Sequence, residues 1–395
     1  MNAIGPVRRC GTRTLSTIPN EIYFEIFSYV KLPYYDGPAT RRHLSNLAQV
    51  CRFFCSIMLP WIYEHLKIDA KMKKSDGSSN NYTSFCRSIV KGDGAAQEMA
   101  LYVKKCTFDS WDVKDGQLDW YLEELLAMCS KAVRSMKNIR EVTFVSTTIT
   151  KDLVKAITSL PHLESLTLKD CLFADNIAEK HVKNMGLLKL KYLCVLLQDG
   201  NNVWLFKEPR TRPAILDHIN FSHLLKLETN STDLCQRLAE TTQELSLEHL
   251  DLSSREVDYS ALLGSVLPKT KVLRTLRYVS FNPASSLNLH QDALPRLECV
   301  KCPLEHLKFL IPGRYVSSID IIKRKDSIIT LSDIHILCSS KASITHLHVS
   351  SECYATIPFS EYFPSLLSLW LTFPFVSMSE YVQGDIGEDL EKVRF

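Results

Sequence analysis

Cys299 and Cys302 form the chain's one C-x-x-C, the spacing at which two thiolates can grip a single metal ion, and His306 stands four residues on. A structural zinc site closes with four ligands, and no second pair at comparable spacing follows. The two cysteines fit a strand better. In Leu297-Glu298-Cys299-Val300-Lys301-Cys302 the apolar positions are Leu297, Val300 and Cys302, so Cys302 should be buried and Cys299 should lie on the strand's other side. Other chemistries lack their starting residues: the chain contains no G-x-x-x-x-G-K-[ST], G-x-G-x-x-G, H-E-x-x-H or G-x-S-x-G. Its 12 histidines and 13 cysteines show no spacing that selects a nucleophile and its base, and its acids show no pairing suited to general acid-base work. The expectation is a chain without catalytic residues, cofactor or metal.

Composition points the same way. The 395 residues are 45% apolar and 23% charged, with 47 Lys plus Arg against 44 Asp plus Glu, which excludes a wholly disordered or collagen-like polymer. A net charge of +3, spread rather than blocked, gives no reason to expect nucleic acid or a membrane as partner. The longest apolar candidate, Leu366 to Val376, is broken by Ser368, Thr372 and Pro374 and falls short of the roughly 18 to 20 residues that span a bilayer. Residues 1–17 carry Arg8, Arg9 and Arg13 without an acid or an apolar run, which is no secretory signal and only a weak match to a presequence. An odd cysteine count at irregular spacing reads as reduced, mostly buried thiols, and the expected location is cytoplasmic or nuclear.

The elements that must position any site fall into two kinds. In the first, Ile18, Ile22, Ile26 and Val30 recur at helical spacing beside Phe27, with Thr17 as an N-cap and Pro19 at the first turn. A helix over 19–30 is predicted, then an exposed loop over 31–40 around two prolines and Asp36-Gly37. Helical spacing resumes at Leu44, Leu47, Val50, Cys51 and Phe54 and runs through Ile57 and Met58 up to Pro60. Three short helices result.

Ile18-Pro19-Asn20-Glu21-Ile22, Ile26-Phe27-Ser28-Tyr29-Val30, Val50-Cys51-Arg52-Phe53-Phe54 and Pro60-Trp61-Ile62-Tyr63 together resemble the F-box in order, spacing and residue type. The likeness covers about 50 residues, with Ile18 in place of the usual leucine and a longer connection at 31–43. What the resemblance implies is a three-helix module that docks on the Skp-type adaptor of an SCF-type cullin-RING ubiquitin ligase. Carried over, Pro19, Ile22, Ile26, Val50, Cys51 and Phe53 are the adaptor-facing positions.

The second kind is a repeat. Lys131 to Phe144 aligns without gaps to Lys155 to Leu168, an offset of 24 residues, and the ending L-x-x-L-x-L recurs with apolar starts at Ile139, Leu163, Leu190, Leu224, Leu247, Leu273, Leu297, Val316, Ile344 and Leu366. The mean step of about 25 residues falls in the range of leucine-rich repeats. Helical stretches lie between, clearest over 118–136, with Leu118, Tyr121, Leu122, Leu125, Cys129, Ala132 and Met136 on one face. A propeller is disfavoured by only 13 glycines and no four-strand period. The expected fold is α/β: a short three-helix module followed by a curved leucine-rich-repeat solenoid with a parallel sheet. It resembles the substrate-reading regions behind many F-boxes, including numerous fungal ones. The predicted division is a basic tail 1–14, the helical module 15–68, a linker 69–98, repeats 99–376 and an acidic tail 377–395.

Residues flanking the second apolar position of each repeat should point away from the core. Early repeats offer Glu141, Thr143, Ser165 and Thr167, whereas later ones offer Arg277, Lys301, His346, His348 and Trp370, a basic and aromatic set suited to an acidic or phosphorylated segment of a target protein. The sequence therefore predicts a substrate receptor, with a non-ligase repeat scaffold as the alternative and an enzyme as a distant third.

Overall fold

A computed structural model of the chain describes residues 19–30, 38–70, 81–111, 120–174, 177–197, 214–253, 260–279, 287, 289–290, 292–322, 329–351 and 357–372. The basic tail 1–14, Ile18, Leu118 and the acidic tail 377–395 lie outside these residues. The chain divides into two compact units, Met1–Leu166 with Asp170–Asn184, and Thr167–Lys169 with Met185–Phe395.

Unit one opens with α1 (Asn20–Val30), α2 (Pro38–Val50) and α3 (Arg52–Ile62). Phe27, Leu44, Ile57 and Met58 are buried together, with Tyr23, Leu47, Phe53, Phe54 and Trp61 around them, so these helices hold a small core of their own. The expected loop over 31–40 is too long at its far end. Pro38 begins α2, where its missing N-H would be unsatisfied in any case, and α3 runs two residues past Pro60.

Strands β1 (His65–Asp69), β2 (Lys105–Asp109) and β3 (Glu141–Val145) pair in parallel, with Leu66, Cys106 and Val142 in one register row of the core. The predicted helical module 15–68 therefore ends in a strand, β1, and β2 stands ahead of the first predicted repeat start. Tyr63-Leu66-Ile68 and Val103-Cys106-Phe108 nevertheless carry the repeat's apolar spacing. The stretch 69–98, expected as linker, holds α4 (Asn81–Lys91) and the start of α5 (Gly94–Ala100), the latter capped by Asp93.

Helix α6 (Trp120–Ser135) buries Leu125, Leu126, Cys129, Ala132 and Val133; Tyr121, expected on that face, is exposed. A minor parallel pair, β4 (Thr148–Ile149) and β6 (Leu172–Phe173), flanks α7 (Lys151–Thr158), whose N-cap is Thr150. Strand β5 (Ser165–Lys169) and α8 (Glu179–Lys183) follow. Ser110, Ser146 and Asp170, each the first residue after β2, β3 or β5, all have left-handed φ of 62°, 44° and 52°. One turn device thus repeats in step with the strands.

Unit two continues with β7 (Tyr192–Leu196), β8 (Lys226–Thr229), α9 (Thr232–Glu240), β9 (His249–Leu252), α10 (Ser260–Val266), β10 (Thr275–Tyr278), β11 (Cys299–Pro303), α11 (Leu304–Leu310), β12 (Ser318–Ile322), α12 (Leu331–Cys338), β13 (His346–Ser350), α13 (Phe359–Tyr362) and β14 (Ser368–Thr372). Ser231 caps α9, and Thr330 with Asp333 forms a capping box on α12. Among the described residues the strands stand in chain order within each unit, β1-β2-β3 in unit one and β7-β8-β9-β10-β11-β12-β13-β14 in unit two, every neighbouring pair parallel. Parallel neighbours need a crossover, and the helices supply it. This is the leucine-rich-repeat class of α/β fold. Each of the ten predicted starts, Ile139 to Leu366, leads into a strand two residues later.

A backbone device that no side chain announces ties the repeats together. Within each unit, the carbonyl of the residue before a strand accepts two N-H bonds from the next repeat: Lys104 O from Arg140 and Glu141 in unit one, and Glu248 O from Arg274 and Thr275, then Arg274 O from Glu298 and Cys299, in unit two, at 2.8 to 3.1 Å. The register is therefore held without help from exposed side chains.

Candidate protein-binding surfaces

The first surface lies on α1–α3. Ile22 and Ile26, one turn apart on α1, are 48% and 51% exposed, and Val50 at the end of α2 is 62% exposed. Phe24 and Tyr29 of α1 are open to solvent as well. Pro19 is exposed just before α1, and its carbonyl accepts from Ile22 N at 3.1 Å. The remaining two predicted residues are partly structural. Cys51 caps α3, its sulfur accepting from Phe54 N at 3.5 Å, and Phe53 is half-buried with its ring 5.2 Å from that of Tyr23. Tyr23 and Phe27 face inward beside Phe54, so α1 is apolar on two sides and its own core uses only one.

The second surface is the strand face of unit two. Register places Cys194, Glu228, Asp251, Arg277, Lys301, Asp320, His348 and Trp370 in one row across β7 to β14. Arg277 is exposed and Trp370 is 52% exposed, while Lys301 and His348 are half-buried. His346 is exposed in the neighbouring row, 2.9 Å from the Thr345 hydroxyl. Thr167, expected on this kind of face, is buried instead.

The row is less basic than the sequence suggested. Glu228, Asp251 and Asp320 stand in it too, brought there by parallel register that joins residues 19 to 28 positions apart, beyond the reach of any local pattern. Lys301 Nζ lies 2.7 Å from Asp320, and His348 Nδ1 lies 3.1 Å from the same carboxylate. The Tyr192 hydroxyl donates to Glu228 at 3.1 Å. Burial, and then the charge of Glu228, push the Asp251 carboxyl above the usual carboxylate range, against the downward pull of Arg277, Lys301 and Lys226. A sequence scan could have found the three acids only by aligning the repeats first and reading down the columns.

Cys302 is fully buried and Cys299 half-exposed on the opposite side of β11, as the repeat frame predicts. The eleven described cysteines are free thiols, seven of them buried. Burial raises Cys235 to about 12, which keeps it protonated and inert as a nucleophile. Among the described residues no group of three or more His, Cys, Asp or Glu could hold a metal ion, and no helix is long and apolar enough to cross a membrane.

No family model and no curated protein matches the sequence. Among solved structures the chain is similar to one in the crystal structure of the Rad7 and Elc1 complex from yeast, at 12% identity and a TM-score of 0.40, covering 93% of this chain and 100% of that one. It is also similar to a chain in the crystal structure of a TLR13–ssRNA13 complex, at 14% identity and a TM-score of 0.31, covering 70% of this chain. This chain spans only 41% of that TLR13 chain. Likeness at this level transfers no function from either protein.

Proposed function

We propose that the chain is a substrate receptor of an SCF-type cullin-RING ubiquitin ligase, of the F-box and leucine-rich-repeat kind. Helices α1–α3 dock on a Skp-type adaptor, and the strand face of unit two holds a target protein. The chain contributes no catalytic group; ubiquitin transfer is accelerated because target and ligase are brought together.

The observation that carries this reading is the division of labour on α1. Phe27 and Tyr23 are spent on the module's own core, yet Ile22 and Ile26 remain about half exposed at the positions that the F-box resemblance assigns to the adaptor. Exposed isoleucines one turn apart supply the apolar, desolvating contact that anchors a protein interface.

The test is co-expression of the full chain with a Skp-type adaptor, followed by affinity capture. The parent should retain the adaptor, and Ile22→Asp with Ile26→Asp should lose it, because the variant buries two charges in the contact. Equal capture by both proteins would place adaptor docking away from Ile22 and Ile26, and no capture by the parent would leave the chain as a repeat scaffold outside any ligase.

A further inference from the structure

The charge order on the strand face of unit two restricts the kind of protein segment that the face can hold. Glu228 and Asp251 are direct register partners, Arg277 and Lys301 are the next two, and Asp320 follows. Two acids beside two bases make the surface dipolar along the sheet. A polyanion laid across it would meet repulsion from Glu228, Asp251 and Asp320, and a polycation would meet it from Arg277 and Lys301.

Free capacity is uneven within this row. Lys301 already holds Asp320, and His348 shares that carboxylate, so Asp320 is satisfied internally. Asp251 is not. Its half-buried carboxyl stays raised despite Arg277, Lys301 and Lys226, which means that the cations present do not offset its burial and the proximity of Glu228. A further positive charge there would be welcome. Arg277, exposed on the adjacent strand, is a guanidinium suited to a carboxylate.

The spacing fixes the partner. Adjacent strands lie roughly 4.8 Å apart, so the middle of the acid pair is about 10 Å from the middle of the base pair. A segment in the extended polyproline II conformation advances about 3.1 Å per residue with three residues per turn, so side chains three positions apart lie on one side of it and about 9 Å apart. We infer that this face binds an extended segment of a target protein in which a basic residue and an acidic residue stand three positions apart, the basic one over Glu228 and Asp251 and the acidic one over Arg277 and Lys301. This rests on the receptor reading above and names the kind of segment the receptor reads.

The experiment uses the full chain and four fluorescein-labelled 12-residue peptides of Gly, Ser and Ala that carry Arg-x-x-Glu, Glu-x-x-Glu, Arg-x-x-Arg or no charge, with binding followed by fluorescence polarisation. Arg-x-x-Glu should bind at least tenfold more tightly than the other three. Arg277→Glu should shift the preference to Arg-x-x-Arg, and Asp251→Asn should reduce the advantage of Arg-x-x-Glu at least fivefold while circular dichroism stays unchanged. The inference is overturned if Glu-x-x-Glu binds best, if a single-stranded RNA displaces the peptide more effectively than the uncharged control, if neither substitution changes the preference, or if no peptide binds. Adaptor capture is scored separately on the same protein samples, so that loss of peptide selectivity with intact adaptor binding refutes this inference alone, and loss of adaptor binding refutes the receptor reading.

Discussion

The helical end of unit one and the strand face of unit two expose side chains of opposite character. On α1 the exposed large apolar side chains are Ile22, Phe24, Ile26 and Tyr29, whereas the row across β8 to β14 is Glu228, Asp251, Arg277, Lys301, Asp320 and His348 before it reaches Trp370. The isoleucines and Phe24 of the first surface have no polar atoms to pair and gain only by being covered. The second has settled part of its charge internally, through Lys301 and His348 on Asp320. Apolar area confers affinity with little discrimination, and fixed charge confers discrimination with little net affinity. A receptor that must always hold one adaptor and must choose among targets needs one of each.

Substitutions can break this contrast at either end. The largest effect is expected inside the helical module: Phe27→Ala removes a buried ring that stacks edge-on against Phe54 at 5.0 Å, and it should cost about 3–5 kcal/mol. The adaptor surface should vanish with the module, and native hydrogen exchange should report loss of protection in α1–α3 while β8–β14 keep theirs. Next comes Ile22→Asp with Ile26→Asp. Because both residues are half exposed, the melting temperature should hold, with less than about 0.5 kcal/mol lost per site, while titration calorimetry should register an adaptor affinity lower by two orders of magnitude or more.

At the strand face the effects are smaller and of a different kind. A double-mutant cycle between Lys301→Ala and Asp320→Ala, read by urea unfolding, should give a coupling of about 0.2–1 kcal/mol, as expected for a pair whose side chains are 38% and 27% exposed. Asp251→Asn should raise the melting temperature slightly. The sign follows from linkage: a carboxyl whose folded-state pKa lies above its unfolded value binds its proton more tightly when native, so its ionised form destabilises the fold above that raised pKa, and the penalty fades as pH falls below the unfolded value. The gain from Asp251→Asn should accordingly be present at neutral pH and disappear in acid. A fall in melting temperature at neutral pH would mean that attraction to Arg277 and Lys301 outweighs the burial of Asp251.

The same contrast explains what could be read in the sequence. Repeat starts such as Leu247, Leu273 and Leu297 were legible because core positions at i, i+3 and i+5 must be apolar in every turn, and that constraint is local. The extent of α1 was legible for similar reasons, whereas α3 runs past Pro60 to Ile62. Strands β1 and β2 were not: Tyr63 stands at the first core position of one, and Cys106 and Phe108 fill core positions of the other, residue types that the leucine pattern passes over. The strand face was legible only in part. Arg277, Lys301 and Trp370 stand out as residues, but the ion pairs that qualify them depend on parallel register between residues far apart in the chain. Thr167 shows the converse: its position in the pattern is outward, and its surroundings bury it.

The most direct test of the two-surface account is hydrogen–deuterium exchange on the full chain, alone and saturated with a Skp-type adaptor. The account predicts new protection in peptides from α1 and from the junction of α2 and α3 around Val50 and Cys51, with exchange across β8 to β14 unchanged. Protection appearing on β8 to β14 with none on α1 would contradict it, since the adaptor would then occupy the face assigned here to the target.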